Sequence, residues 1–143
     1  MANKQAIINS DLDVSQKVIG LIACIGQEMK SEMTRKLKPT GLSLIQLEIL
    51  HVLSKAPEKY LTVNQIKKLM TDESPNVSRA LNKLMDAALI EKRRDSQDQR
   101  VVYIHITEAG EQAHIDADQQ LLSVSLDFSP GDAEKLYELL KKL

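Results

Sequence analysis

Apolar residues along this chain recur mostly every three or four positions, a spacing typical of helices that bury one face. The longest pattern predicts a helix from residue 10 to about residue 38. Its end signals agree with the helix dipole: Ser10 as cap, Asp11 and Asp13 in the first turn, Lys36 and Lys38 in the last. One stripe is apolar (Val14, Val18, Leu21, Ile22, Ile25, Met29, Met33), and another face is mostly small (Gly20, Ala23, Cys24, Gln27). Because one small domain can hardly cover both faces, the pattern predicts a partner subunit.

Two short helices follow the break at residues 39–41, and both begin with the same signal. The signal is a capping box, formed by Ser43 with Gln46 and by Thr62 with Gln65. The first helix should end before Ala56, and the second should reach about Met70. Ser74 then caps a third helix, with Pro75 at its first position. The second and third of these helices, joined by a few residues, predict a helix-turn-helix.

The helix after Ser74 separates into an apolar and a polar face. The predicted inward residues are Val77, Ala80, Leu81 and Leu84, and the outward ones are Asn76, Ser78, Arg79, Asn82 and Lys83. In a DNA major groove, arginine can pair with guanine and asparagine with adenine. The candidates for base contacts are therefore Arg79, Asn82 and Asn76. The candidates for phosphate contacts, aided by the helix N-terminus, are Ser74, Ser78 and Lys83.

A basic hairpin comes next, carrying Lys92, Arg93, Arg94 and Arg100. Its second strand should bury Val102, Ile104 and Ile106 by alternation. We expect Arg100, braced by Asp98, at the tip of the hairpin, because arginine suits the negative potential of a narrow minor groove. Arg93 and Arg94 are candidates for the DNA backbone. A polar helix followed by a basic hairpin predicts a winged helix-turn-helix; the alternative is that these residues are solvated polar faces of an ordinary small domain.

The C-terminal part predicts two more helices. Thr107 should cap one that runs to about Leu126, and Ser129 with Pro130 should begin the last. The first has apolar side chains on two faces (Ala109, Ala113, Ala117 and Val124 against Ile115, Leu122 and Leu126), and the last offers Ala133, Leu136, Tyr137 and Leu140. The candidates for dimer contacts are Val18, Ile22, Ile25, Leu122, Leu136 and Leu140.

The predicted fold is mainly α with a small β wing. It divides into an N-terminal dimerisation helix (residues 1–41), a winged helix-turn-helix head (42–106) and C-terminal dimerisation helices (107–143). The net charge of −1 is distributed as +2 over residues 1–60, +2 over 61–107 and −5 over 108–143. The head is therefore free to present a local positive patch. The few aromatic residues favour duplex DNA over single strands, which are usually gripped by base stacking.

Cellular location is indicated by what the sequence lacks. No apolar run approaches the roughly 20 residues that span a membrane, and the N-terminus has no signal-peptide pattern. The single Cys24 excludes an internal disulfide framework. We therefore expect a cytoplasmic protein that has no membrane partner.

Several short motifs resemble those of the MarR family of regulators. They are Gly41-Leu42-Ser43 with Gln46, Leu61-Thr62, and Asp98-x-Arg100 followed by Ile106-Thr107 and Gly110. The resemblance implies a homodimer with interlocking first, fifth and sixth helices, a palindromic operator, more often repression than activation, and release by an effector or oxidant. Ala88 departs from the pattern, because the family usually has glycine there. A left-handed helix end costs a non-glycine residue roughly 1 kcal/mol or more, so we expect either a different turn or strain.

Other classes of function find less support. The sequence has no Gly-rich phosphate loop, Ser/His/Asp set or Cys-x-x-Cys, so we expect neither an enzyme nor a cofactor. A winged-helix module for protein contacts is the alternative from another class. His114 with Asp118, or with Glu111, could ligate zinc. Metal-sensing relatives carry denser clusters, however, so we expect surface histidines, including His51 and His105, and no metal.

Cys24 is compatible with two roles. Some relatives sense peroxide through a first-helix cysteine, and a sensor thiol needs an exposed, electropositive neighbourhood. The neighbours here are mostly apolar or acidic. We therefore expect Cys24 to be a small residue packed at a helix crossing.

Overall fold

Helices dominate the computed structural model, which describes residues 3–70 and 76–143. The helices of these ranges are α1 (Lys4–Ile8), α2 (Val14–Leu37), α3 (Leu44–Lys55), α4 (Val63–Leu69), α5 (Asn76–Asp86), α6 (Glu108–Leu121) and α7 (Pro130–Leu140). The strands are β1 (Tyr60–Thr62), β2 (Ile90–Arg94) and β3 (Val102–Ile106). The predicted mainly helical fold with a small β wing is confirmed. Among the described helices, none is both long and apolar enough to cross a bilayer.

Both predicted capping boxes are present. The Ser43 amide donates to Gln46 Oε1 at 2.8 Å, and the Gln46 amide donates back to Ser43 Oγ at 3.3 Å. The reciprocal pair at Thr62 and Gln65 has distances of 2.8 and 3.2 Å. These boxes satisfy amides that a helix start leaves without partners, which fixes where α3 and α4 begin. The predicted cap Ser74 and its neighbour Pro75 lie outside the described residues.

The prediction of one helix starting at Ser10 is wrong. Asp13 caps α2 by accepting from the Gln16 amide at 3.0 Å. Ser10 instead donates to the Ile7 carbonyl at 2.7 Å and closes α1. Asp13 has the extended backbone that an N-cap requires, so the aspartate takes the role that the sequence assigned to the serine.

Part of the small face of α2 is covered by α1 of the same chain, while Ala23 and Gln27 stay exposed. A Cβ atom at Gly20 would already touch Ile7 Cγ2 at 3.4 Å. Cys24, one turn further along, is only 7% exposed. Cys24 is therefore a buried thiol, whereas a peroxide sensor needs an exposed one. An ion pair of 2.8 Å between Lys4 and Glu28 extends the contact by another turn.

The helix α6 is shorter than predicted. It ends at Leu121, with Leu122 as C-cap, where the apolar pattern had suggested about Leu126. Ser123 Oγ donates to the Gln120 carbonyl at 2.8 Å, one of the groups that the end of a helix leaves without an amide partner. The start of α7 at Ser129 and Pro130 is confirmed.

The sheet has three antiparallel strands in the order β1-β3-β2, of which the sequence predicted only the hairpin β2-β3. Tyr60 of β1 pairs with His105 of β3. Its ring packs on Tyr103 and His105, with centroids 4.8 and 4.6 Å apart. Both faces of β3 are therefore partly covered. Of the three side chains of β3 that were predicted to be buried, only Ile104 is fully buried. Val102 and Ile106 are both half-buried.

The main core lies around α3. Its fully buried large side chains are Ile49, Leu50, Leu53, Ile66, Val77, Leu84, Ile90 and Ile104. A second, smaller cluster (Leu37, Leu47 and Ala117) joins α3 to α2 and α6. The helix α3 thus connects the part of the chain that carries the wing to the long terminal helices.

The turn after α5 is left-handed, as in the family pattern, although it lacks glycine. Ala88 has φ 58°. The Leu89 amide bonds the Leu84 carbonyl at 3.0 Å and the Ala88 amide bonds that of Met85 at 2.9 Å, which is a Schellman motif. Thr107 holds the turn from the other side, since its hydroxyl donates to the Ala88 carbonyl at 2.8 Å.

The start of α6 packs closely against this turn. Any Cβ atom at Gly110 would collide with the carbonyl oxygen of Leu89. The Thr107 amide donates to the same carbonyl at 3.1 Å. Only glycine permits this approach, which accounts for the glycine of the sequence motif at this position.

Replacing Ala88 by glycine should raise the free energy of unfolding by about 1 kcal/mol, because glycine adopts positive φ without steric cost. The matched change in the opposite direction is Gly41→Ala. Gly41 has φ 73° and open space around its Cα, so alanine there should lower the free energy of unfolding by a similar amount through backbone strain alone. Urea unfolding at one fixed protein concentration measures both. A loss of stability in Ala88→Gly would show that the turn is not strained.

A polar network links α3 and α6 through Lys59, the residue that precedes β1. Glu111 accepts from Ser54 Oγ at 2.8 Å and pairs with Lys59 Nζ at 3.0 Å. Lys59 also donates to the Ser54 carbonyl at 2.6 Å. Although burial opposes the shift, the hydrogen bonds from Lys59 and Ser54 hold the pKa of Glu111 below its ordinary value.

This shift predicts a loss of stability in acid. A carboxyl whose folded pKa is lowered stabilises the fold fully above its ordinary pKa of 4.5, and the contribution is lost as pH falls through the lowered value. Glu111→Gln should therefore flatten the dependence of the unfolding free energy on pH as the pH falls below about 5. Lys59→Met, which removes the partner, should flatten it in the same way. An unchanged slope in both variants would contradict the network.

Candidate nucleic-acid interface

The faces of α5 are arranged as the sequence predicts. Val77, Ala80, Leu81 and Leu84 are all buried. The opposite face is exposed and carries Asn76, Ser78, Arg79, Asn82 and Lys83. Because the buried residues fix the rotation of α5 on the core, these polar side chains are displayed together on one surface.

The wing is the hairpin of β2 and β3 with its connecting loop, residues 95–101. The loop is ordered by Asp95, whose carboxylate accepts from the Gln97 and Asp98 amides at 2.7 and 3.1 Å. Its backbone closes between Asp95 and Val101 at 2.9 Å. Arg94 donates to the Gln99 carbonyl at 2.8 Å, so this guanidinium supports the loop from within the wing.

Arg100 stands at the tip of the wing with a side chain 92% exposed. Asp98 braces it, since Arg100 Nε and Nη2 donate to the two carboxylate oxygens at 3.1 and 3.3 Å. This hydrogen bond holds the pKa of Asp98 below its usual range. Arg93 pairs with Glu91 on the same strand. The three wing arginines are thus held differently, and Arg100 is the one presented outward on a fixed support.

A second basic surface was missed by sequence reasoning. A cavity of about 650 Å³ brings Lys83 of α5 together with Arg35 and Lys38 at the end of α2. Ser43, the cap of α3, lines the same cavity. These residues lie far apart in sequence, and Lys38 had been explained by the helix dipole alone. The only signal in the sequence is the basic end of α2.

A larger cavity of about 680 Å³ lies between α2, α3 and α6. Its apolar wall includes Met29, Met33, Leu44, Leu47 and Leu121, and its polar wall includes Lys30, Glu48, His51 and Asp118. Asn76, the first residue of α5, also reaches it. The cavity therefore touches both the long helices and the polar helix of the candidate interface.

The histidines depart from expectation at one position. His51 is exposed as predicted, and His105 is half-buried beside Tyr60, where burial lowers the pKa of its ring. His114 is only 5% exposed, so the prediction of a surface histidine is wrong for this residue. Burial lowers the pKa of His114, although Asp118 opposes the shift. Its ring contacts His51 and Asp118, while Glu111 is held by Lys59 and Ser54.

The residues predicted for dimer contacts form apolar surface on the terminal helices. Val18, Ile22, Ile25, Leu122 and Leu140 are exposed, and Leu136 is half-buried. Further exposed apolar side chains lie beside them on the same elements: Val14, Ile19, Tyr137 and Leu139.

Solved structures share this architecture. A MarR-like transcription regulator from Bacillus cereus superposes with a TM-score of 0.79 at 17% identity, over 90% of this chain and 94% of that one. A mutant MarR from E. coli in complex with operator DNA gives 0.74 at 20% identity, over 92% and 98%. BpsR of Bordetella bronchiseptica, whose DNA binding is regulated by 6-hydroxynicotinic acid, gives 0.75 at 18% identity, over 93% and 96%. No curated protein matches the sequence.

The polar helix, the basic wing and the three-stranded sheet form a winged helix-turn-helix with the fold of the MarR regulators. The family description "Transcriptional regulator SarA/Rot" matches residues 31–117, more than half of the chain. The chain therefore belongs to the SarA/Rot family of transcriptional regulators.

Proposed function

We propose that this protein is a homodimer that binds a palindromic operator in double-stranded DNA and represses transcription by occupying it. The observation that carries the proposal is the exposed polar face of α5 beside a wing whose Arg100 is braced and exposed. A helix of this kind reads the major groove, and a wing reaches the backbone or the minor groove. In a symmetric dimer, two such heads match the two halves of a palindrome.

The side chains of α5 differ in the role proposed for them. Arg79 offers a planar fork that suits guanine, and Asn82 and Asn76 offer the donor and acceptor that suit adenine. Lys83 lies beside Arg35 and Lys38 and is better suited to phosphates. Ser78, and Ser74 outside the described residues, complete the phosphate candidates. On the wing, Arg100 is proposed for the minor groove and Arg93 for the backbone, with Arg94 as a support.

Arg79→Ala should weaken operator binding by roughly 1–3 kcal/mol, or about 5- to 150-fold, and relax the preference at one base pair. Lys83→Ala should instead weaken binding to all sequences and lower the slope of log K against log salt by about one. Fluorescence anisotropy measures both, with an operator selected from a random pool. The control is Lys55→Ala, which removes the same charge from an exposed position at the end of α3, assigned to neither proposed interface, and should leave affinity unchanged.

The result for Arg79→Ala distinguishes a base contact from general electrostatic attraction to DNA. If Arg79→Ala changes neither affinity nor base preference, Arg79 is not a base contact. If the wild-type protein binds no duplex even at low salt, the protein-contact module gains support instead, because binding through phosphates is strongest there.

The terminal helices support the proposal of a homodimer. No residue of α7 is buried, although the helix carries Tyr137, Leu139 and Leu140. A helix of 11 residues is only marginally stable in water without packing. Leu122, the C-cap of α6, is also 82% exposed. Several large apolar side chains left exposed on terminal helices support a protein contact there, and a second copy supplies the same surface.

The double variant Leu122→Asp with Leu140→Asp should shift the protein from dimer to monomer, because it places charge in an apolar interface. Both side chains are exposed in the single chain, so the subunit itself should stay folded. Leu69→Asp is the matched control, since Leu69 is a 57% exposed leucine on α4, away from the terminal helices. Sedimentation velocity measures the mass. A wild-type monomer, or an unchanged dimer in the double variant, would contradict the proposed interface.

A small-molecule effector is proposed for the cavity between α2, α3 and α6. Its volume of about 680 Å³ suits a small organic ligand, and its mainly apolar wall carries a few polar groups. Lys30 offers a cation to an acidic group of such a ligand, and Asp118 offers an acceptor to a donor group. Because Asn76 reaches the cavity, a ligand there contacts the start of the proposed DNA-reading helix and can disturb it.

A further inference from the structure

The contact between α3 and α6 contains a cluster of three potential metal ligands. His51 Nδ1 lies 3.1 Å from His114 Nε2, and His114 Nε2 lies 3.2 Å from Asp118 Oδ2. The ligand atoms of the three residues lie within 4.8 Å of one another. His51 and His114 are 63 positions apart, so only the fold brings them together.

These spacings fit a tetrahedral ion. With bonds of about 2.0–2.1 Å, neighbouring ligands of Zn²⁺ are about 3.3 Å apart, close to the two measured separations. The remaining separation is wider, but Asp118 is exposed and can turn toward the ion by rotating its side chain. His114 is held nearly buried in the helix contact, which keeps one ligand fixed. Exposed His51 and Asp118 provide the route of entry.

We propose that His51, His114 and Asp118 form a site for a divalent transition-metal ion, for which Zn²⁺ is the favoured occupant. Two imidazole nitrogens and one carboxylate form a donor set that zinc takes in proteins when the fourth position is left to water or a ligand. Binding displaces the proton between the two histidine rings, since both nitrogens must offer lone pairs. His51 and Asp118 also line the larger cavity, so the fourth position borders it.

The site would connect two parts of the molecule. His51 is on α3, which carries the core beneath α5, while His114 and Asp118 are on α6. An ion bonded to both helices fixes their relative position more firmly than the present hydrogen bonds do. If the proposed function holds, metal binding would then change operator affinity by selecting one orientation of the heads.

The direct test uses the full-length protein and zinc, without DNA. Protein treated with a chelator is titrated with Zn²⁺ against a chromogenic competitor, and its melting temperature is followed in parallel. We expect one ion per chain, an increase in melting temperature, and a loss of affinity of about tenfold or more in His51→Ala and in Asp118→Ala. Both replaced side chains are exposed, so these variants should fold.

Two control variants match these changes. Asp116→Ala removes another exposed carboxylate of α6, and His105→Ala removes a histidine of the wing, and both should bind zinc as the wild type does. Absence of zinc binding in the wild type, or equal binding in His51→Ala and Asp118→Ala, would overturn the site. Operator affinity with and without zinc is measured separately. Zinc binding without any DNA binding would preserve the site and refute the proposed function.

Discussion

The burial of α3 is the constraint on which the rest of the structure depends. Ile49, Leu50 and Leu53 are completely buried, and the helices α4 and α5 and the strand β3 pack around them. The neighbouring turn of the same helix places Leu47 against Leu37 and Ala117 of the long helices. One helix therefore belongs to two clusters. The orientation of the polar face of α5 relative to α2 and α6 is determined by how α3 packs on both sides.

Features set by neighbouring residues could be predicted from the sequence. The capping boxes at Ser43 and Thr62 and the two faces of α5 depend on side chains within one or two helical turns, and all are confirmed. Helix ends were less accurate where two residues could serve as cap, as at Ser10 and Asp13, or where serine competed with the helix, as at Ser123. At such positions small free-energy differences determine where the helix begins or ends. The spacing of apolar residues gives no measure of these differences.

Features that join distant segments could not be predicted. The strand β1 is only three residues long and exists because Tyr60 meets His105 across the chain. The packing of α1 on Gly20 and the pairing of His51 with His114 have the same origin. For the candidate DNA interface, residue types and helix faces could be read in advance. The grouping of Lys83 with Arg35 and Lys38 required the fold. The roles of the site residues on DNA stay predictions.

The close approach of Gly110 to the Leu89 carbonyl has a mechanical consequence. The turn that follows α5 and the beginning of α6 touch backbone to backbone, and Thr107 adds two hydrogen bonds across the same contact. Because no side chain lies between the two backbones, no rotamer change can absorb a relative movement at this contact. A tilt of α6 would therefore be passed directly to the turn that ends α5. The contact of α6 with α2, by contrast, is made by side chains such as Ala117 and Leu37, which can shift by small rotamer changes.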